Sequence, residues 1–249
     1  MAIDTATLAA HFTALAGFDW GTDAAPLAAI DAAVVAAHTD AALAGDLEKR
    51  LAAVVSGTAS LAAKEYACRK LALIGTAVAV PALAARLPVA EESHMARFAL
   101  ERIPAPEAGD ALRQALATVR GDLVIGMISS LANRRDEASV VPLGMLVRGE
   151  SASVAAAAAS ALGRIATPAA AAALAAGAPK PGPVTAAVTD ARLACADALL
   201  AAGDRTAAKA IFESIAAEVG DAPQTHRDRA VRIASKSGVL ACLDDTVGP

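Results

Sequence analysis

Five leucines, Leu71, Leu100, Leu131, Leu162 and Leu199, recur at intervals of roughly 30 residues, and each brings its neighbourhood with it. Twelve positions after them stand Leu83, Leu112, Leu143, Leu174 and Ile211; four further on come Leu87, Leu116, Val147, Ala178 and Ile215. Four positions before them stand Ala67, Ala96, Met127, Ala158 and Cys195, all apolar and mostly small. Three after them, Ile74, Ile103 and Ile165 fill three of the five copies, with Arg134 and Ala202 in the others. Apolar residues three and four apart lie on one helix face, so each copy predicts a helix on either side of a break. Gly75, Pro104, the run Asn133-Arg134-Arg135-Asp136, Thr167-Pro168 and Gly203-Asp204 fall in those breaks, and these residue types end one helix or start the next. Val80-Pro81 and Val141-Pro142 place proline near the start of the second helix, where its missing N–H matters least.

Composition agrees with an all-helical chain. More than a quarter of the 249 residues are Ala, against one Trp, one Tyr and four Phe. Ala is the strongest helix former and contributes little to a sheet, and it lets helices pack closely. A hydrophobic fraction of 56% rules out disorder of the polar, highly charged kind. The Ala-rich stretch from Val154 to Ala176 is not read as a membrane span, because Gly163, Arg164 and Pro168 interrupt it and a central Arg costs about 2.5–3.5 kcal/mol on insertion scales.

The copies set the expected organisation. Residues 1–60, with helices over Asp4–Ala16, Ala24–Ala37 and Asp46–Val55, form a helical N-terminal cap. Residues 61–178 hold four helix pairs; residues 179–249 hold a fifth pair and a C-terminal cap, His226–Ser235 ending near Ser237-Gly238. The longer last interval is assigned to Gly177-Ala178-Pro179-Lys180-Pro181-Gly182-Pro183, a loop too rich in proline to continue a helix. Divergent ends are expected of stacked repeats, since each end must cover its neighbour and also meet water.

The segment Cys68-Arg69-Lys70-Leu71-Ala72-Leu73-Ile74-Gly75 with Val80-Pro81-Ala82-Leu83, echoed by Ala161-Leu162-Gly163-Arg164-Ile165 and Val141-Pro142-Leu143, resembles the HEAT-like repeat. More narrowly, it is similar to the short bacterial repeats of phycobilisome-lyase-type proteins. The resemblance covers about residues 61–217 and is specific for fold rather than function; Pro104, in place of the usual Gly, and Asp197-Ala198-Leu199-Leu200, which lacks it, depart from it. It implies one continuous right-handed α-solenoid of about five helix pairs.

Chemistry is sparse. His11, His38, His94 and His226 stand apart from one another and form no metal-ligand pattern. The His-Glu dipeptides by which di-iron HEAT-repeat hydroxylases hold metal are missing, as are a nucleophile elbow and a phosphate loop. Cys68, Cys195 and Cys242 are odd in number and far apart, which argues against a disulfide framework. No cofactor or metal is expected. The N-terminal residues Met1-Ala2-Ile3-Asp4 show no leader pattern, so a reducing, bacterial cytoplasm is the expected compartment.

The least ordinary stretches are 64–70, 93–102 and 133–136, which gather five Arg, the only Tyr and one Phe at comparable places in consecutive units. Stacking would bring them side by side. Arg and Tyr are enriched at interface hot spots, so Tyr66, Arg69, His94, Arg97, Glu101, Arg134 and Arg135 are the candidate partner-binding residues. Each has a plainer reading: Arg97 and Glu101 as a solvated i, i+4 pair, Arg134-Arg135 as a helix C-terminus, and His94 as a first-turn residue behind an N-cap Ser93. The expectation is a non-enzymatic scaffold that binds another protein. An accessory enzyme subunit, as the likeness to paired bilin-lyase subunits implies, and a nucleic-acid binder, as in HEAT-like DNA glycosylases, are the alternatives. A net charge of −4 and a Trp20 outside the repeats argue against nucleic acid.

Overall fold

A computed structural model of the chain describes residues 5–177, 183–219 and 226–243. Among these residues every regular element is helical. Three helices come first: α1 (Thr5–Ala16), α2 (Ala25–Ala37) and α3 (Ala41–Ser56). Five pairs follow: α4 (Leu61–Ile74) with α5 (Val80–Ala84), α6 (Ala90–Arg102) with α7 (Pro106–Thr118), α8 (Asp122–Asn133) with α9 (Val140–Val147), α10 (Ala152–Ile165) with α11 (Pro168–Ala176), and α12 (Pro183–Ala201) with α13 (Arg205–Val219). A single 3-10 turn (Glu137–Ser139) leads into α9, and α14 (His226–Leu243) comes last. The breaks fall where Gly75, Pro104, residues 133–136, Thr167-Pro168 and Gly203-Asp204 place them.

The chain divides into two compact units, Met1–Ser130 and Leu131–Pro249. In the first, α4 packs on both α3 and α6, and α5 packs on α7, so first helices lie against first helices and second against second. Leu71, Leu83, Leu87, Leu100, Leu112, Ala67, Ala96 and Met127 are fully buried there. The second unit repeats the arrangement, α10 against α12 and α9 against α11, around Leu131, Leu143, Ala158, Leu162, Leu174, Cys195 and Leu199. Small residues set the spacing. At Gly163 an added Cβ would lie 2.9 Å from the Cα and the carbonyl oxygen of Ala191, so the α10 and α12 backbones nearly touch.

Two recurrent positions shift. Leu116 is half-buried while Val119 fills the core, and in α13 Phe212 rather than Ile211 is buried. The Phe212 ring lies against Gly238, where a Cβ would come within 2.5 Å of it, and this close fit carries α14 past the expected stop at Ser237-Gly238 to Leu243. At the other end α3 starts at Ala41 rather than Asp46, because Asp40 Oδ1 accepts from the Leu43 N–H at 3.0 Å and nucleates the helix one turn earlier. Most of the proline-rich loop, residues 178–182, and the Asp4 start of the first helix lie outside the described residues. Pro183 opens α12, a position where proline is favoured.

Polar links run between successive elements. Ser60 caps α4 by accepting from the Ala63 N–H at 3.0 Å and donates to the Phe18 carbonyl. The five-residue α5 is too short to persist alone. Its approach is held by the Glu48 carboxylate of α3, which accepts from the Thr76 N–H at 2.6 Å, the Thr76 hydroxyl at 2.9 and 3.0 Å, and the Ala79 N–H at 3.1 Å. Gly203, at φ +86°, ends α12 with its N–H on the Leu200 carbonyl and the Asp204 N–H on that of Leu199, the left-handed turn for which glycine is suited. No described helix is long and apolar enough to cross a membrane.

Candidate functional site

The solvent face of α4 and α6 presents the residues two and six positions before the buried leucines, with those two positions after. On α4 these include Glu65 and Arg69, an i, i+4 ion pair; on α6 they are His94, Phe98 and Arg102. The Arg102 guanidinium stacks 3.7 Å from the Phe98 ring centroid and donates to the Phe98 carbonyl at 2.9 Å. Phe98 is half-buried, and Arg69, His94 and Arg102 are exposed. Because α4 and α6 pack together, Arg69 and Phe98 hold matching places on adjacent helices. An aromatic ring capped by a cation beside further cationic and imidazole groups offers apolar area with several donors.

Three of the expected site residues do internal work in the same unit. The Tyr66 hydroxyl donates to Asp31 Oδ1 at 2.6 Å and lies 3.2 Å from the Leu27 carbonyl, tying α4 to α2. Burial first, then the bond to Asp31 and its charge, hold the phenol well above its ordinary value, so it stays a neutral donor. Lys70 Nζ lies 2.6 Å from the same Asp31 oxygen and 4.8 Å from the Tyr66 ring centroid. Arg97 lies flat against the bare Cα of Gly126 on α8, where a Cβ would come within 2.8 Å of its guanidinium carbon. Its Nη1 donates to the Gly126 carbonyl at 3.2 Å and to Ser130 Oγ at 3.3 Å. Ser130 in turn donates to Glu101 Oε1 at 2.7 Å, so the expected Arg97–Glu101 pair is joined through a buried hydroxyl on the neighbouring helix rather than through solvent. Burial lowers the affinity of Arg97 for its proton, and the Glu101 charge opposes that shift.

Ser93 does not cap a helix. α6 begins three residues earlier, and Ser93 is buried with no hydrogen-bond partner for its hydroxyl. His94 is therefore inside the helix and exposed rather than at its first position. In the second unit Arg135 takes a left-handed conformation at φ +50°, with its N–H on the Ala132 carbonyl and the Asp136 N–H on that of Leu131. Glycine is the usual residue in this role, and a side chain there costs about 1–2 kcal/mol. Arg135 is exposed and Arg134 half-buried beside it; Arg164 Nη2 donates to Asn133 Oδ1 at 2.5 Å at the end of the neighbouring helix.

Several polar residues that the sequence did not single out are more deeply placed than these. Glu48 is 3% exposed. Arg192, also 3% exposed, donates to Glu218 at 2.7 and 2.9 Å and to Ser214 Oγ at 2.8 Å, joining α12 to α13. Within the 64–70 stretch, Lys64 Nζ lies 2.6 Å from Glu92, beside the buried Cys68. Burial is the main cause that pushes the Cys68 thiol up to about 12, with the charges of Glu92 and Glu65 adding to it; Cys195, also buried, is pushed up to about 11. Both are protonated at neutral pH and act as small apolar groups. No group of three or more His, Cys, Asp or Glu side chains among the described residues is placed to hold a metal ion.

No protein-family model matches the chain, and no curated protein matches it.

Proposed function

We propose that the chain is a HEAT-like helical-repeat scaffold, its pairs stacked as a right-handed α-solenoid, and that it binds another protein through the α4–α6 surface. The observation that carries this reading is the half-buried Phe98 capped by Arg102, flanked by Arg69 and His94, on a face whose neighbouring positions hold no role in the core. Aromatic and arginine side chains of this kind supply most of the energy at many interfaces. Pairing of first with first and second with second helices, with the recurrent Leu and Ala positions buried in each pair, supports the repeat reading. Three buried, unpaired cysteines suit a reducing compartment such as the cytoplasm.

The test replaces Arg69, His94, Phe98 and Arg102 together by Ala and compares capture from native lysate with that of a control carrying Glu107→Ala and Gln114→Ala on the exposed side of α7. Quantitative mass spectrometry should show at least one protein retained by the wild type and the control and reduced about tenfold or more on the quadruple variant. Equal retention of every captured protein by all three overturns the reading, provided circular dichroism shows the variants folded.

A further inference from the structure

α1 and α3 both pack on α2, and between them lies an open cleft of about 540 Å³. That volume falls within the range of about 300–1,000 Å³ typical of small-molecule sites. Its walls are Ala9, Phe12, Ala16, Ala53 and Val54, and Arg50 is its only charged lining residue. Phe12 supplies one of the chain's six aromatic rings, and Arg50 lies 5.9 Å above its centroid. Arg50 Nε donates to Asp46 Oδ2 at 2.7 Å, an i, i+4 pair on α3 that leaves the rest of the guanidinium beside the cleft. Its two terminal nitrogens have no hydrogen-bond partner among the described residues. A guanidinium whose terminal donors no described residue takes, beside an apolar trough, is complementary to a carboxylate that carries a hydrocarbon tail.

We propose that the α1–α3 cleft is a binding site for a small amphiphilic carboxylate, its tail along Phe12 and Val54 and its head group on the free Arg50 nitrogens. This site is separate from the α4–α6 surface and does not depend on a protein partner. A reporter stands close by. Trp20, the only Trp, packs edge-on against Phe18 at 6.4 Å, and the Phe18 carbonyl accepts from Ser60, next in sequence to Ala59 of the cleft wall. Trp20 is 63% exposed, so its emission serves as a second signal beside the heat of binding.

The experiment titrates the intact protein with dodecanoate below its micelle threshold, following heat and Trp20 emission, with dodecyltrimethylammonium as the cationic comparator. Dodecanoate should bind and the cation should bind at least tenfold more weakly. Arg50→Gln should weaken dodecanoate about tenfold or more, and Arg50→Lys should recover part of the loss. Ala16→Leu with Ala53→Leu, at two exposed wall positions, should abolish binding while helix content and melting temperature hold. The proposal is overturned if dodecanoate does not bind, if the cation binds equally well, or if folded Arg50→Gln binds as tightly as the wild type.

Discussion

An extra methyl at Gly163 would press on the Ala191 backbone, whereas one at Gly45 in α3 would meet nothing within 4 Å. Gly163→Ala should therefore lower stability by about 1–2 kcal/mol, overpacking of about 1–3 kcal/mol outweighing better helix propensity. Gly45→Ala should raise it by up to about 1 kcal/mol, and paired urea denaturation curves check both. The thiols give a pH prediction with a fixed sign. Cys68 is held near 12 in the folded chain against 9.0 ordinarily, so its contribution is complete below about pH 9 and is lost as pH rises toward 12. The melting temperature should fall through that window, and Cys68→Ala should flatten the fall. At this scale the sequence is a poor guide to roles. Arg97 and Glu101 read as an exposed pair because Gly126 and Ser130, which enclose them, lie about one repeat away, in a helix whose facing side carries no signal of its own.

Among the elements, α5 depends most on its surroundings. Glu48→Ala would take the acceptor from the Thr76 N–H and hydroxyl and leave the Ala79 N–H only its 3.3 Å bond to the Thr76 carbonyl, a loss of about 1–3 kcal/mol. Hydrogen exchange should then quicken first across residues 76–84, before the rest of the unit. If exchange there is unchanged, solvent has replaced the carboxylate and the cap is dispensable. Helix existence was legible because Leu and Ile recur on one face, and the breaks were legible because Gly, Pro and Asp punctuate them. Helix ends were not. Asp40 starts α3 a turn early, and Phe212 lets α14 run through Gly238, and each effect depends on where a side chain points or on a contact between helices. Glu48 was missed for the same reason: one acid in the charged run Asp46-Leu47-Glu48-Lys49-Arg50 looks solvated until α5 folds against it.

For the whole molecule, stacking of the pairs as proposed predicts that damage stays local, since each repeat of such a stack contacts only its neighbours. Phe212→Ala removes a fully buried ring between α13 and α14, a substitution that typically costs about 3–5 kcal/mol. Exchange should accelerate over residues 183–243 and remain at the wild-type rate over residues 5–130. Uniform acceleration along the chain would show a single cooperative fold instead. The polar links bear on how such a chain is made. Ser60 reaches back to Phe18, Tyr66 to Asp31, Thr76 to Glu48, Ser130 to Glu101 and Arg164 to Asn133. In each case the earlier partner is synthesised first, and the separation is about one helix pair. Within each unit, a ribosome releasing this chain from its N-terminus delivers these later partners to groups that are already waiting, so assembly of each unit can keep pace with translation.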